Sequence, residues 1–190
     1  MSERRLYLSD NQTSDSRIGG AAPRLDYEPG YLDRYRYLCT IGHAHLPTVD
    51  DQDVSVFVRN GFLVTEDDSR YPNLGIDCVM HPPAAPRDDD LGRLTAIGAA
   101  GLSGEEDARD PDYSVIRIAA TPQHIQHEPS YAAALVAYGY SFIFELDEEG
   151  YDSDFLHESF PFNYGALYVY GRRSAAGLVS EVVAGYIQFS

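Results

Sequence analysis

Apolar and polar residues alternate along several short segments of the chain, which is the pattern of β-strands with one buried face. The clearest segment is residues 141–146, where Phe142, Phe144 and Leu146 share one side and bulky side chains favour a pleated strand. This pattern, or a strand-like composition, predicts further strands at residues 5–8, 35–41, 54–59, 76–80, 113–119, 166–170 and 178–189.

Turn and helix signals fall between these predicted strands. Asn60-Gly61 is a type I′ turn signal, so residues 54–59 and 62–65 are predicted to form a hairpin. One helix is predicted from a cap at residues 88–90 to about residue 100, and a second over residues 129–138, with Gly139 as its C-cap. The predicted fold is therefore α+β and β-rich, with a mostly antiparallel sheet and two or more short helices.

The length of 190 residues fits a single domain, in which residues 1–16 form an N-terminal extension. Two segments, at about residues 34–61 and 138–172, share one layout: an aromatic strand, a long acidic loop, an aromatic strand and a glycine-bearing turn. This likeness predicts an internal duplication of a strand, acidic loop and strand unit, with the two units paired around a pseudo-twofold axis.

The charge balance narrows the class of partner. Thirty acidic residues stand against fourteen basic residues, all of them arginine, and the net charge is -16. Such a surface repels phosphate backbones and anionic lipids, so we expect no direct binding to nucleic acid or membranes. A positively charged protein would be attracted. An alternative is that the acidity serves only solubility.

Cysteine usage and the amino-terminal sequence bear on the compartment. Cys39 and Cys78 lie in apolar stretches without a CxxC motif, so we expect buried free thiols. The first sixteen residues lack the apolar run of a signal peptide, and no segment approaches the roughly 20 apolar residues of a membrane span. These features predict a cytoplasmic protein.

Familiar catalytic and metal-binding motifs are missing from the sequence. It has no phosphate-cradling glycine motif, no GxSxG and no HExxH. The pairs His43/His45 and His124/His127 offer fewer ligands than a zinc site needs, and the carboxylates of residues 147–158 lack the EF-hand spacing. We therefore predict no catalytic, cofactor-binding or metal-binding residue, and no cofactor.

The acidic loops are the predicted partner-binding surface, with tyrosines as anchors if several loops converge on one face. If they scatter, the acidic residues serve solvation. The predicted contact residues are Asp50, Asp51, Asp53, Asp147, Glu148, Glu149, Tyr151, Asp152, Asp154, Glu158 and Tyr164.

Four stretches, FIFELDEEG, FPFNYGALYVYG, IGGAAP and RYLCTI, together resemble the bacterial YwqG-like domain family over about residues 18–170. The sequence departs from the family at Asn163-Tyr164-Gly165, where Gly-Asp-x-Gly is usual, and it has no tryptophan. The resemblance implies a compact β-rich α+β fold without established enzymatic activity. Relatives occur beside secreted toxins, where they look like immunity proteins.

The leading functional hypothesis combines the resemblance with the charge. It describes an immunity protein that occludes the basic cleft of a cognate toxin, plausibly a nuclease delivered by a secretion system such as type VI. Two alternatives stay open: a non-catalytic regulatory or stress-related binding module, and a hydrolase that uses clustered carboxylates.

Overall fold

The computed structural model describes residues 3–11, 14–63, 69–110, 112–147, 150–151, 154–162 and 164–189, and strands dominate this part of the chain. It contains ten strands: β1 (Arg4–Ser9), β2 (Arg17–Ile18), β3 (Tyr35–Ile41), β4 (Asp53–Arg59), β5 (Ile76–His81), β6 (Ala100–Ser103), β7 (Ile116–Ile118), β8 (Ser141–Asp147), β9 (Gly165–Arg173) and β10 (Val179–Phe189). All strand pairs in the sheet are antiparallel, in the order β10-β9-β8-β7-β1-β6-β2-β3-β4-β5.

The sheet curls until its two edge strands, β5 and β10, contact each other. The chain just before β5 reinforces this closure, since the Tyr71 N–H donates to the Gly185 carbonyl at 2.6 Å and the Ile187 N–H donates to the Ser69 carbonyl at 3.0 Å. Pairing the free edge of β10 in this way satisfies backbone groups that would otherwise invite aggregation.

The main apolar core is shared by the whole sheet. Every strand contributes at least one buried residue to it, among them Leu6, Ile18, Cys39, Val56, Ile76, Leu102, Ile116, Phe144, Val169 and Ile187. Burial of these side chains on one face supplies the main apolar driving force for closing the sheet.

The helices are short and lie just before two of the strands. Helix α1 (Tyr31–Arg34) leads into β3, and helix α2 (Ala133–Ala137), preceded by a 3-10 turn at Pro129–Ala132, leads towards β8. The second helix agrees with the predicted one, and Gly139 follows it in a left-handed conformation with φ 80°. The α+β, β-rich and antiparallel character predicted from the sequence is confirmed.

The strand order has an internal symmetry. Exchanging each of β1–β5 with the strand five places later gives the same order read from the opposite edge, and the antiparallel pair β1–β6 lies at its centre. Equivalent irregularities occur in both halves, because the β3–β4 pairing shifts between Tyr37 and Cys39 and the β8–β9 pairing shifts between Phe142 and Phe144. The segments 34–61 and 138–172 fall on the exchanged pairs. Descent of the two halves from a duplication stays a prediction.

The predicted hairpin after β4 is wrong. Asn60 and Gly61 do form a turn, and Gly61 has φ 70°, but Asn60 does not have the positive φ that a type I′ turn requires. Strand β4 pairs with β3 on one edge and with β5 on the other, so no edge is left for residues 62–65. Phe62 instead enters the core, and residues 64–65 lie outside the described part of the chain.

The predicted helix at residues 88–100 is also wrong. Those residues form turns and isolated bridges, with Gly92 at φ 75° and Leu91 exposed. Gly92 is packed against Leu32, so that a Cβ there would lie 2.8 Å from a Leu32 methyl carbon. Close packing at a left-handed glycine outweighs the weak helical periodicity of the segment.

Candidate tyrosine cleft

Aromatic side chains form two clusters outside the main core, one in each half of the fold. In the first half, the buried rings of Tyr37 and Phe57 form the floor of a cluster that includes Tyr27, Tyr31 and Tyr35. The cluster in the second half contains Tyr140, Phe142, Tyr168, Tyr170 and Tyr186, with Leu135 of α2 packed against them.

Three tyrosines of the first cluster form a continuous stack. The rings of Tyr27 and Tyr31 lie 5.3 Å apart at an interplanar angle of 11°, and those of Tyr31 and Tyr35 lie 5.0 Å apart at 21°. Phe57 meets Tyr31 edge-on, with the centroids 5.3 Å apart. Each aromatic pair of this kind adds about 0.5–1.5 kcal/mol beyond burial of its area.

A single helical turn accounts for half of the stack. Tyr31 and Tyr35 are four residues apart across α1, so their rings come to one side, whereas Tyr27 precedes the turn and stacks on Tyr31 from the preceding loop. Gly30 starts this turn with φ 75°, a left-handed conformation that glycine adopts without a steric penalty. The elements predicted from the sequence include no helical turn at residues 31–34, so the stack was not predicted.

Strand β5 adds a carboxylate to the stack. Asp77 pairs in register with Phe57, and the Tyr31 hydroxyl donates to Asp77 Oδ2 at 2.8 Å. Burial, and then this hydrogen bond, raise the pKa of Tyr31, so its hydroxyl stays protonated and acts as a donor. The bond therefore fixes the carboxylate at the edge of the aromatic rings.

The stack borders an open cleft of about 800 Å³, which we call the tyrosine cleft. Its lining residues are Leu25, Asp26, Tyr27, Glu28, Tyr31, Asp33, Arg34, Tyr35, Arg59, Asn60, Asp77 and Val79. Four of them are carboxylates and two are arginines. Arg34 lies 3.6 Å from Glu28, and the Arg59 guanidinium packs towards Gly75, where a Cβ would lie 3.2 Å from Arg59 Cζ. The cleft thus combines aromatic rings with an excess of negative charge.

A buried chain of hydrogen bonds supports Tyr37, one of the two buried rings beneath the tyrosine stack. The Tyr37 hydroxyl lies 2.8 Å from Thr40 Oγ1, Thr40 Oγ1 lies 2.7 Å from Ser55 Oγ, and Ser55 Oγ lies 2.7 Å from His81 Nε2. His81 Nδ1 is 2.7 Å from the Pro82 carbonyl, which can only accept, so Nδ1 carries the proton.

The direction of the chain follows from the neutral state of His81. Burial lowers the pKa of His81, so its Nε2 accepts from Ser55, which in turn accepts from Thr40. Ser55 and Thr40 are completely buried. This arrangement resembles a nucleophile beside a base, but burial denies a substrate access to the Ser55 hydroxyl, and the chain serves packing under Tyr37.

The predicted contacts of the β3–β4 loop have different surroundings. Asp50 and Asp51 are exposed in a 3-10 turn and have positive φ values of 60° and 50°. Asp53, in contrast, is buried, and its Oδ1 accepts from the His43 backbone N–H at 3.0 Å and lies 3.1 Å from His43 Nδ1. The Asp53 carboxylate thus holds the loop, and its role as a partner contact stays a prediction.

Two predicted residues, Asp147 and Tyr164, lie together in a second cleft of about 310 Å³ in the other half of the fold. Tyr164 is 78% exposed and has φ 60°. The same cleft contains Arg117 and Glu145, and their side chains form an ion pair at 3.1 Å. Burial raises the pKa of Glu145.

The oxygens of Glu145 are already engaged by its own chain. Oε1 accepts from Arg117, and Oε2 accepts from the Gln123 backbone N–H at 2.9 Å. A carboxyl with a raised pKa in a cleft is what the hydrolase alternative requires, but these two bonds occupy Glu145 in positioning the chain around residue 123.

The remaining predicted contacts lie in the β8–β9 connection. Tyr151 is partly buried and packs against Phe155 and Phe160, with ring centroids 5.3 and 4.7 Å away, and its role as an anchor for a partner stays a prediction. Asp154 and Glu158 are exposed. Glu148, Glu149 and Asp152 lie outside the described residues.

The two acidic loops are hydrogen-bonded to different elements of the fold. The β3–β4 loop is attached to β10, where the Val179 N–H donates to the Pro47 carbonyl. The β8–β9 connection is attached to the segment before β6, where the Gly98 N–H donates to the Phe155 carbonyl.

Gly150 lies so close to Ser114 that a Cβ would be 2.6 Å from its backbone, so close approach and not a left-handed turn accounts for this glycine.

The histidine pairs are tied into the fold. His45 Nδ1 lies 2.8 Å from Ser16 Oγ, and His124 Nε2 lies 2.9 Å from the Tyr186 hydroxyl. Burial lowers the pKa of both histidines. Within the described ranges, no three His, Cys, Asp or Glu residues are arranged to hold a metal ion.

Comparison with known proteins leaves the family open. A scan against protein-family models gave no match, and a search of curated proteins gave no significant match. Among the residues that the structure describes, no helix has the length and apolar character needed to cross a membrane.

Proposed function

We propose that this protein binds a positively charged protein at the tyrosine cleft and neutralises it by covering its basic surface, without catalysing a reaction. The observation that supports this most directly is the stack of Tyr27, Tyr31 and Tyr35 beside the Asp77 carboxylate in an open cleft. Tyrosine is enriched among residues that dominate binding energies, and carboxylates complement a basic partner.

The net charge of -16 extends this complementarity beyond the cleft. Long-range attraction raises the rate of encounter with a basic protein, by roughly 10- to 1000-fold at low salt. Short-range contacts in the cleft then determine which basic protein stays bound. Charge and cleft therefore have separate roles.

The partner that fits best is a bacterial toxin, and among toxins a nuclease delivered by a secretion system. A nuclease needs a basic cleft to bind a polyanion, and an acidic protein in the cytoplasm of the producing cell could cover that cleft. The YwqG-like resemblance of the sequence supports the same role. We prefer the binding hypothesis to the hydrolase hypothesis because Glu145, the buried carboxyl of the second cleft, already accepts hydrogen bonds from Arg117 and the Gln123 backbone.

The test is protection of cells from the product of the adjacent gene. That product is expressed with and without this protein, and growth, nucleic-acid integrity and co-purification are measured. The proposal predicts restored growth and a stable complex. Growth arrest that persists at high levels of this protein, without co-purification, would refute it.

A further inference from the structure

We infer that the tyrosine cleft recognises an arginine side chain of its partner, a refinement that rests on the proposed function. The cleft offers aromatic rings and carboxylates within one opening of about 800 Å³, which is large enough for a long side chain and its neighbours. A guanidinium is planar, stacks on aromatic rings and binds carboxylates with two parallel hydrogen bonds.

The second half of the fold contains the same chemistry within the chain itself. Arg172 Cζ lies 4.8 Å from the centre of the Tyr140 ring. The Tyr140 hydroxyl donates to Glu181 Oε1 at 2.5 Å, and Arg172 Nε lies 2.8 Å from Glu181 Oε2. An arginine, a tyrosine and a carboxylate thus form a closed triad.

Register relates this triad to the tyrosine cleft. Tyr35 pairs with Arg59 across β3 and β4, and Tyr140 lies one residue beyond the Ser141–Gly171 pair, opposite Arg172. Tyr140 therefore holds the position in the second half that Tyr35 holds in the first, and Arg172 holds the position of Arg59, which lines one side of the tyrosine cleft. A further arginine behaves similarly, since Arg70 Cζ lies 3.7 Å from the centre of the Tyr131 ring.

The tyrosine cleft has a hydroxyl and carboxylate pair of the same kind beside open space, formed by Tyr31 and Asp77 and not at the positions equivalent to Tyr140 and Glu181. The Tyr31 hydroxyl orients the Asp77 carboxylate, as the Tyr140 hydroxyl contacts Glu181. Asp26, Glu28 and Asp33 are exposed around the cleft and add negative potential. The terminal faces of the stack belong to Tyr27 and Tyr35, both half-buried.

Arginine is favoured over lysine by the shape of this site. A lysine ammonium is compact and strongly hydrated, and it gains less from stacking on a ring. We therefore expect a short peptide with one arginine to bind at least about fivefold more tightly than the same peptide with lysine.

The test uses the full chain with isotopically labelled tyrosine and two probes, acetyl-Gly-Arg-Gly-amide and acetyl-Gly-Lys-Gly-amide, followed by NMR titration. The inference predicts saturable shifts of the Tyr27, Tyr31 and Tyr35 ring signals, stronger with the arginine probe. Equal affinity for both probes, or shifts confined to tyrosines elsewhere, would overturn it.

Variants locate the site. Tyr35→Leu should weaken arginine binding by about fivefold or more, whereas Tyr138→Leu, at an exposed tyrosine of the second half, should leave it within about twofold. If Tyr35→Leu does not fold, Asp33→Asn at an exposed position gives the same test. Arginine binding that neither change weakens would place the site elsewhere.

The outcomes separate this inference from the proposed function. Protection of cells combined with no preference for arginine would refute the arginine site and leave the proposed function standing. Binding of arginine at the cleft combined with no protection of cells would refute the proposed function and leave the arginine site standing.

Discussion

Replacing Ser55 with alanine is expected to destabilise the protein by about 3 kcal/mol. Ser55 is completely buried, and its hydroxyl links Thr40 Oγ1 to His81 Nε2 through two contacts of 2.7 Å. The substitution leaves an acceptor on His81 and a donor on Thr40 without partners. Each buried polar group left unpaired costs about 1–3 kcal/mol.

Urea denaturation followed by circular dichroism gives the measurement. For a domain of this size, 3 kcal/mol corresponds to a fall in Tm of roughly 6–12 °C. The midpoint in urea should fall by about 1 M or more, with an unchanged slope. The matched control is Ser180→Ala, because Ser180 is exposed, and its cost should be below about 0.5 kcal/mol.

A double-mutant cycle with Thr40→Val tests whether the hydroxyls act as one chain. Because Thr40 and Ser55 share a hydrogen bond, the two losses should fall short of additive by about 1 kcal/mol or more. A loss below about 1 kcal/mol for Ser55→Ala, or additive losses in the cycle, would refute the account of the buried hydrogen-bond chain under Tyr37.

Three further predictions concern stability and reactivity. Burial lowers the pKa of His81 from 6.5, so below about pH 6.5 the unfolded chain takes up a proton that the folded chain does not. The free energy of unfolding should therefore fall as the pH drops from about 6.5 towards the folded pKa. Urea titrations at several pH values should show a smaller fall for His81→Gln. Gly19→Ala would place a Cβ 1.8 Å from the Gly98 carbonyl oxygen, so its unfolding free energy should fall by several times the roughly 1 kcal/mol expected for Gly177→Ala, where φ is also positive but space is open. Burial raises the pKa of Cys39 to about 12, and in a Cys78→Ala background its thiol should react with a disulfide reagent at pH 8 only after urea unfolds the chain.

The strands could be predicted because apolar and aromatic residues are concentrated in them. The predicted bounds of β3 are those of the structure, and β8 is one residue longer than predicted. The hairpin after β4 failed because a turn signal at Asn60 and Gly61 does not reveal that β5 already pairs with β4. Pairing between strands far apart in sequence is not encoded in local pattern.

The candidate site was less accessible to sequence reasoning. The spacing of Tyr31 and Tyr35 was a usable signal, since residues four apart meet on one side of a helical turn, whereas Tyr27 lies before that turn. The contact between Asp77 and Tyr31 could not be predicted from the sequence, because it depends on the register between β4 and β5. Charge alone favoured the acidic loops as the partner-binding surface. In the structure Asp53 is buried, and the two loops are hydrogen-bonded to different elements of the fold.

The central claim is that the tyrosine cleft, and not general acidity, holds the basic partner. The most direct measurement is calorimetric affinity of Asp77→Asn and Asp50→Asn for the product of the adjacent gene, since both variants lose one negative charge. The account predicts that Asp77→Asn weakens binding by about tenfold or more, as expected for loss of a hydrogen bond to a charged group, and that Asp50→Asn changes it less than about twofold. Equal losses for the two variants would contradict it.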